Sequence, residues 1–160
     1  MEQKTKINAE DGKQDLVITR EFDLPLDLLF KAYVEPDIVE QVMGTKVLKL
    51  ENKKHGSYQY ETTDAKGNVV FQASGVIHEF SPERKITRTF EMQNAPFGVQ
   101  LEIYEFEKLT EDRCKLKMHV IYESAALRDQ LLKMPFAQGL NMAHNRIQEI
   151  LSKLKIKDHA

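Results

Sequence analysis

Between Thr45 and Tyr122 apolar residues recur at every second position, in six consecutive runs separated only by short polar turns. A two-residue period is the mark of half-buried strands. Links this short join strands only in antiparallel order, since a parallel pair needs a crossover of a dozen residues or more. The predicted strands cover 46–50, 57–63, 69–80, 85–92, 99–108 and 114–122. Asp64 to Asn68, with Gly67, makes one turn, and Ser81-Pro82-Glu83 and Thr110-Glu111-Asp112 make others. Gly75, inside the third run, marks either a bulge or a close backbone approach. Near Ile103 the apolar phase slips by one, which predicts a bulge there.

A sheet with one apolar face must be covered. The last part of the chain supplies the cover. Ser124 is a good N-cap, and a short helix is expected from Ala125 to Lys133. Pro135 interrupts it. A main helix then runs from Pro135 to Leu154, with Leu140, Ala143, Ile147, Ile150, Leu151 and Leu154 along one stripe. Ahead of the six runs, 14–22 reads as a further strand. Asp23 is a candidate cap and Pro25 suits a first helical turn. Leu26, Leu29, Phe30 and Tyr33 recur at helical spacing, and a second short helix spans Pro36 to Met43, stopped by Gly44. The expected architecture is α+β, with a curved antiparallel sheet of about seven strands around a long C-terminal helix. Two short helices follow the first strand. Residues 1–13 are expected to be a flexible leader and 14–157 a single domain. Twisted sheets curl, and where the curve is wider than the helix a pocket remains.

Composition narrows the function. With 23 basic and 25 acidic residues the formal net charge is −2, against the basic face of a nucleic-acid binder. The single cysteine, Cys114, cannot form an internal disulfide, which fits a reducing compartment. No secretory leader or membrane-length apolar run is evident, so a cytoplasmic protein is expected. The five histidines are scattered and no pair has helical metal spacing, so neither a metal nor a cofactor is expected. Nucleotide-binding glycine loops and the G-x-S-x-G elbow are absent.

Three stretches carry a resemblance to a known family. They are ITREFDLPLDLLFKAYVEPDIVEQVMG (18–44), SGVIHEFSPERKITRTFEM (74–92) and ESAALRDQLLKMPFAQGLNMAHNRIQEILSKL (123–154). In that order they resemble the opening strand and helix pair, the glycine-led hairpin and the closing helix of activator-of-heat-shock-protein-90-ATPase-like proteins. These form the AHSA-type branch of the START-like, SRPBCC superfamily. The resemblance implies a helix-grip fold and a cavity. It also implies a tryptophan just before the glycine that ends the second helix, where this chain has Gln41-Val42-Met43-Gly44.

The candidate site is the space between sheet and helix. Strand parity proposes Tyr58, Tyr60 and Phe71 as lining, with Phe90, Met92, Leu101, Ile103 and Met118 from later strands. The helix side would be Phe136, Leu140, Ala143 and Ile147. Met134 and Met142 add to an adaptable, polarizable set. Such residues equally fill an ordinary core. Arg88 shares parity with Phe90 and Met92. It is either an anchor for a ligand carboxylate or hydroxyl, a salt-bridge partner for a nearby glutamate, or a rim residue reaching water. His144, beside the helix stripe, is either a cavity donor or a structural histidine. Cys114 reads as a buried, inert thiol. Glu102, Glu105 and Glu107 with Lys115 and Lys117 read as cross-strand pairs on the solvent face.

These observations predict a non-catalytic module, a monomer or weak dimer, that binds a lipid-like or polyphenol-like hydrophobic small molecule. The resemblance alone implies two alternatives. One is a stress-related, co-chaperone-like protein acting on a heat-shock protein 90 type ATPase, for whose extra N-terminal domain this chain has no room. The other is a cyclase or hydrolase on the same fold, which needs a convergent acid–base pair.

Overall fold

Alternation of side chains decides which residues the sheet turns inward, and in this protein it does so across nearly every strand. The computed structural model describes residues 4–158. In chain order its elements are β1 (Lys6–Asn8), β2 (Asp15–Phe22), α1 (Leu26–Val34), α2 (Pro36–Met43), β3 (Lys46–Leu50) and β4 (Ser57–Thr63). They continue with β5 (Val69–Ser81), β6 (Lys85–Met92), β7 (Val99–Thr110), β8 (Arg113–Ile121), α3 (Ala125–Leu132) and α4 (Phe136–Asp158). The strands form one antiparallel sheet in the order β1-β2-β8-β7-β6-β5-β4-β3. The run β3 to β8 is a simple meander, and β2 pairs with its last strand.

The expected helix-grip α+β fold is present, with eight strands among the described residues rather than about seven. The extra strand comes from the expected leader. Residues 1–3 lie outside the described residues, but Lys6, Ile7 and Asn8 pair with Thr19, Ile18 and Val17. Just before them, Thr5 N–H donates to Asn141 Oδ1 of α4 at 3.0 Å, and Thr5 Oγ1 shares a 2.6 Å hydrogen bond with His144 Nδ1. A three-residue polar strand has no periodicity to read; its attachment depends on side chains far along the chain.

Local signals set the element ends. Gly44 closes α2 in the left-handed conformation at φ 65°, where a side chain would be strained, and its N–H donates to Glu40 O. Ser124 Oγ accepts from Leu127 N at the start of α3. Asp23 does not cap α1; Pro25 occupies that position with extended geometry. Residues Leu16, Ile18, Phe22, Leu116 and Cys114 of β2 and β8 pack with Leu24, Leu29 and Phe30, while α4 adds Ile147 and Leu151, all nearly sealed from solvent. That end of the molecule is a filled core. The helix α4 packs closely on α1 and α2, which hold it across the concave side of the sheet.

Gly75 marks a close approach. The β5–β6 register is the same on both sides of it, Ser74 to Glu91 and then Ile77 to Arg88, with Val76 N–H turned to Thr89 Oγ1 in between, and the register shift falls later, between Ile77 and Glu79. A Cβ at Gly75 would overlap the Thr89 carbonyl oxygen and lie 2.8 Å from Tyr58 Cε1. That carbonyl is also the acceptor for the Tyr58 hydroxyl at 2.5 Å. Gly75→Ala should therefore lower stability by about 2–3 kcal/mol, the cost of overpacking plus loss of a buried hydrogen bond. The urea midpoint from circular dichroism would report it, and an unchanged midpoint would contradict the packing described here.

Candidate ligand-binding site

Arg88 organises the concave face. It sits two residues from Ile86 and from Phe90 on β6, so the pleat turns all three inward. The residue opposite it on β7 is Glu102. Arg88 Nε donates to Glu102 Oε1 at 3.0 Å, and the two side chains are 11% and 7% exposed. Tyrosines surround the pair. The guanidinium carbon lies 4.5 Å from the Tyr58 ring centre and 4.8 Å from that of Tyr104, within cation–π range. Arg88 Nη2 donates to the Tyr104 hydroxyl at 2.8 Å, and that hydroxyl donates to Glu102 Oε1 at 2.8 Å. Gln100 Nε2 donates to Glu102 Oε2 at 2.8 Å. Arg88 Nη1 reaches the Tyr60 hydroxyl only at 3.5 Å.

Burial works against the Arg88 charge, yet the facing Tyr104, Tyr58 and Glu102 hold its pKa above the ordinary value. Burial also raises the phenol pKa values of Tyr58 and Tyr104, so both remain protonated donors.

Over this cluster the sheet and α4 part, leaving a cavity of about 500 Å³. Tyr60, Phe71, Arg88, Phe90 and Met118 line it from the sheet, and Leu140, Ala143, His144 and Ile147 from α4. These nine were expected from the sequence. The other five lie elsewhere. Tyr58 is fully buried beneath Arg88, so it supports the floor without lining it. Met92 and Phe136 pack part-buried against the core. Leu101 and Ile103 are on the opposite face, because no bulge occurs near Ile103. β6–β7 pairing is regular from Val99 to Glu105, and Glu102, Tyr104 and Phe106 are the buried set. Glu102 is thus corrected from the solvent face to the inner face. Glu105 and Glu107, registered with Lys117 and Lys115, do face outward as expected. Met134 and Met142 are exposed, at 51% and 61%, and do not line the cavity.

Sequence reasoning missed the roof. Ala32 and Tyr33 of α1, Val39 and Met43 of α2, and the adjoining Gly44 and Thr45 close the space, with Thr62, Glu102 and Tyr104 on the sheet side. Glu102 was detectable: a 12-residue strand with Tyr104 and Phe106 inward requires it inward, and Arg88 next door needs an acid. Helix periodicity placed Tyr33 on a buried stripe but gave no sign that the stripe faces a space.

A family profile described as "Activator of Hsp90 ATPase homolog 1-like protein" matches residues 23–152. The chain belongs to this family. Protein Ms6760 from Mycobacterium smegmatis is similar in structure, with TM-score 0.80 and 21% identity over 92% of this chain and 96% of that one. A solution structure of an Arthrobacter aurescens protein gives TM-score 0.81 and 17% identity over 92% and 91%. A Rhodobacter sphaeroides protein gives 0.79 and 18% over 92% and 99%. At these identities the likeness is one of fold. Comparison with curated proteins finds no match. In this member of the family, Met43 occupies the place before the helix-ending glycine and lines the cavity.

His144 forms part of one wall. It is 2% exposed, stacks edge-on to Phe22 at 5.7 Å, and bonds Thr5 through Nδ1. Burial and then the Arg20 charge lower its pKa from 6.5 to about 4, so it is neutral near pH 7. The Cys114 thiol is pushed up to about 12 by burial and the charges of Asp23 and Asp27, as an inert thiol would be. Among the described residues no cluster of three or more His, Cys, Asp or Glu could hold a metal ion, and no helix is long and apolar enough to cross a membrane.

Two outcomes follow for this site. Arg88→Met strands a buried carboxylate and should cost about 3–5 kcal/mol, whereas Arg88→Met with Glu102→Leu should cost clearly less than the sum of the single changes. Denaturant titration of the four proteins measures the difference, and strict additivity would argue against a buried pair. For His144, the unfolded chain binds a proton that the folded chain refuses between pH 6.5 and about 4. Stability should therefore fall on acidification through that window, by on the order of 3 kcal/mol. His144→Gln should lose that component of the pH profile, read as melting temperature against pH.

Proposed function

We propose that this protein binds a hydrophobic small molecule, lipid-like or polyphenol-like, in the cavity between sheet and α4, and does not transform it. The observation that carries the reading is a space of about 500 Å³ walled largely by aromatic, aliphatic and methionine side chains, with a polar cluster around Arg88 on its floor and His144 on one wall. Ligand pockets of roughly 300–1,000 Å³ with few, placed polar groups fit that description. Arg88 and Glu102 cancel one another's charge, and His144 is tied to Thr5 on a different wall. Neither pairing has the form of a general base aimed at a nucleophile. A second reading, a partner of an Hsp90-type ATPase, is favoured by the family description; it assigns no role to the cavity.

Chemical-shift titration with apolar aromatic compounds separates the two. Expected are saturable shifts at Phe71, Phe90, Met118 and Leu140, and their loss in Ala143→Phe, which fills the space while leaving the fold intact by circular dichroism. Absence of any saturable shift, together with stimulation of an Hsp90-type ATPase, would replace the first reading with the second.

A further inference from the structure

The polar cluster on the cavity floor has an uneven set of unmet bonds. Glu102 is well served: Arg88 Nε and the Tyr104 hydroxyl both donate to Oε1, and Gln100 Nε2 donates to Oε2. Arg88 is not. A guanidinium carries five N–H donors. Nε is used by Glu102 and one Nη2 proton by Tyr104, while Nη1 has only the long contact to Tyr60. In that contact the Tyr60 hydroxyl accepts, which leaves its own proton to be donated, and no hydrogen bond from it is found among the described residues. Nη1 and the Tyr60 oxygen are 3.5 Å apart, and both residues line the cavity. One acceptor oxygen between them can take a proton from each at ordinary hydrogen-bond length.

Charge then decides what kind of oxygen belongs there. Arg88 is already neutralised by Glu102 at 3.0 Å. The other titratable lining groups are His144, Tyr33, Tyr60 and Tyr104, and none of them offers a cation at neutral pH. Arg20, the second buried cation at this end, turns its guanidinium to the Glu21 carbonyl, Thr5 and Asn141, and it does not line the cavity. A carboxylate seated at this point would bring a second negative charge beside Glu102, whose charge already cancels that of Arg88, while the Arg146 guanidinium lies against Gly44 on the α2 side of the space; that is costly on a poorly solvated floor. A neutral carbonyl gains the same two donors without that cost. A pure hydrocarbon leaves the donors dry and unpaired.

We infer that the cavity selects an uncharged apolar guest carrying one acceptor oxygen, a ketone or similar carbonyl, seated between Arg88 Nη1 and the Tyr60 hydroxyl, and rejects the corresponding carboxylate. This rests on the proposed small-molecule binding and names its ligand class. The test uses the full chain and three matched probes: benzophenone, diphenylmethane and diphenylacetate, titrated by chemical shift at neutral pH. Benzophenone should bind about tenfold tighter than diphenylmethane, the worth of a hydrogen bond to otherwise unpaired donors, and diphenylacetate weakest of the three. Tyr60→Phe should shrink the advantage of the ketone over the hydrocarbon several-fold. Glu102→Gln frees the Arg88 charge and should move diphenylacetate above benzophenone. If Glu102→Gln does not fold, the ranking in the unsubstituted protein and the Tyr60→Phe comparison decide alone. Equal binding of ketone and hydrocarbon, or tight binding of the acid, overturns this inference while leaving small-molecule binding in place. Silence from all three probes overturns both.

Discussion

A buried ion pair sits where a simple helix-on-sheet fold would place hydrocarbon. Arg88 and Glu102 face each other across β6 and β7, nearly sealed from solvent, between the rings of Tyr58 and Tyr104. Such a pair is tolerable only if its remaining donors and acceptors are met, and the tyrosines and Gln100 meet most of them. It cannot be pressed against leucine and alanine without stranding the donors that remain. The α4 helix, whose facing residues are Leu140, Ala143 and Ile147, therefore has nothing to gain by closing onto the β6–β7 floor. The cavity is the geometric consequence of a polar floor under an apolar roof.

The same helix behaves differently along its length. Around Ile147 and Leu151 it meets β2, β8 and α1 side chains in a filled core, and both residues are fully buried. One to two turns earlier, at Leu140 and Ala143, it is only partly buried and borders the space. One end is thus packed into the core and the other borders a space. Structures at 17–21% identity to this chain keep TM-scores near 0.8. Alternation and helical stripes survive broad substitution as long as volume and pattern are kept.

Much of the fold could be read from the sequence because it rests on those same short-range patterns. The strands 46–50, 57–63 and 85–92 fall where the two-residue period put them, and Gly44 and Pro135 stop helices for backbone reasons that need no tertiary knowledge. The site was less legible. Leu101 and Ile103 looked inward because they are apolar, and Glu102 outward because it is charged. Face assignment is set by register, not by polarity, and the regular pairing of β7 with β6 turns all three the other way. The leader strand failed for a different reason: Thr5 is held by Asn141 and His144, more than 130 positions away.

Those long-range ties bring the chain's beginning to the cavity wall. His144 lines the space with its ring and grips Thr5 through Nδ1, while Asn141, one turn earlier, accepts from Thr5 N–H and from Arg20 Nη1. A neutral imidazole is what lets this wall sit close to the Arg20 guanidinium; a protonated ring would set two cations side by side in a poorly solvated place. The two polar clusters of the concave side therefore solve the same electrostatic problem in different ways. On the floor a cation is cancelled by an acid, and on the wall a second cation is avoided by keeping a histidine uncharged. Both solutions leave the groups that face the cavity without a net charge, the condition on which the proposed preference for an uncharged guest rests.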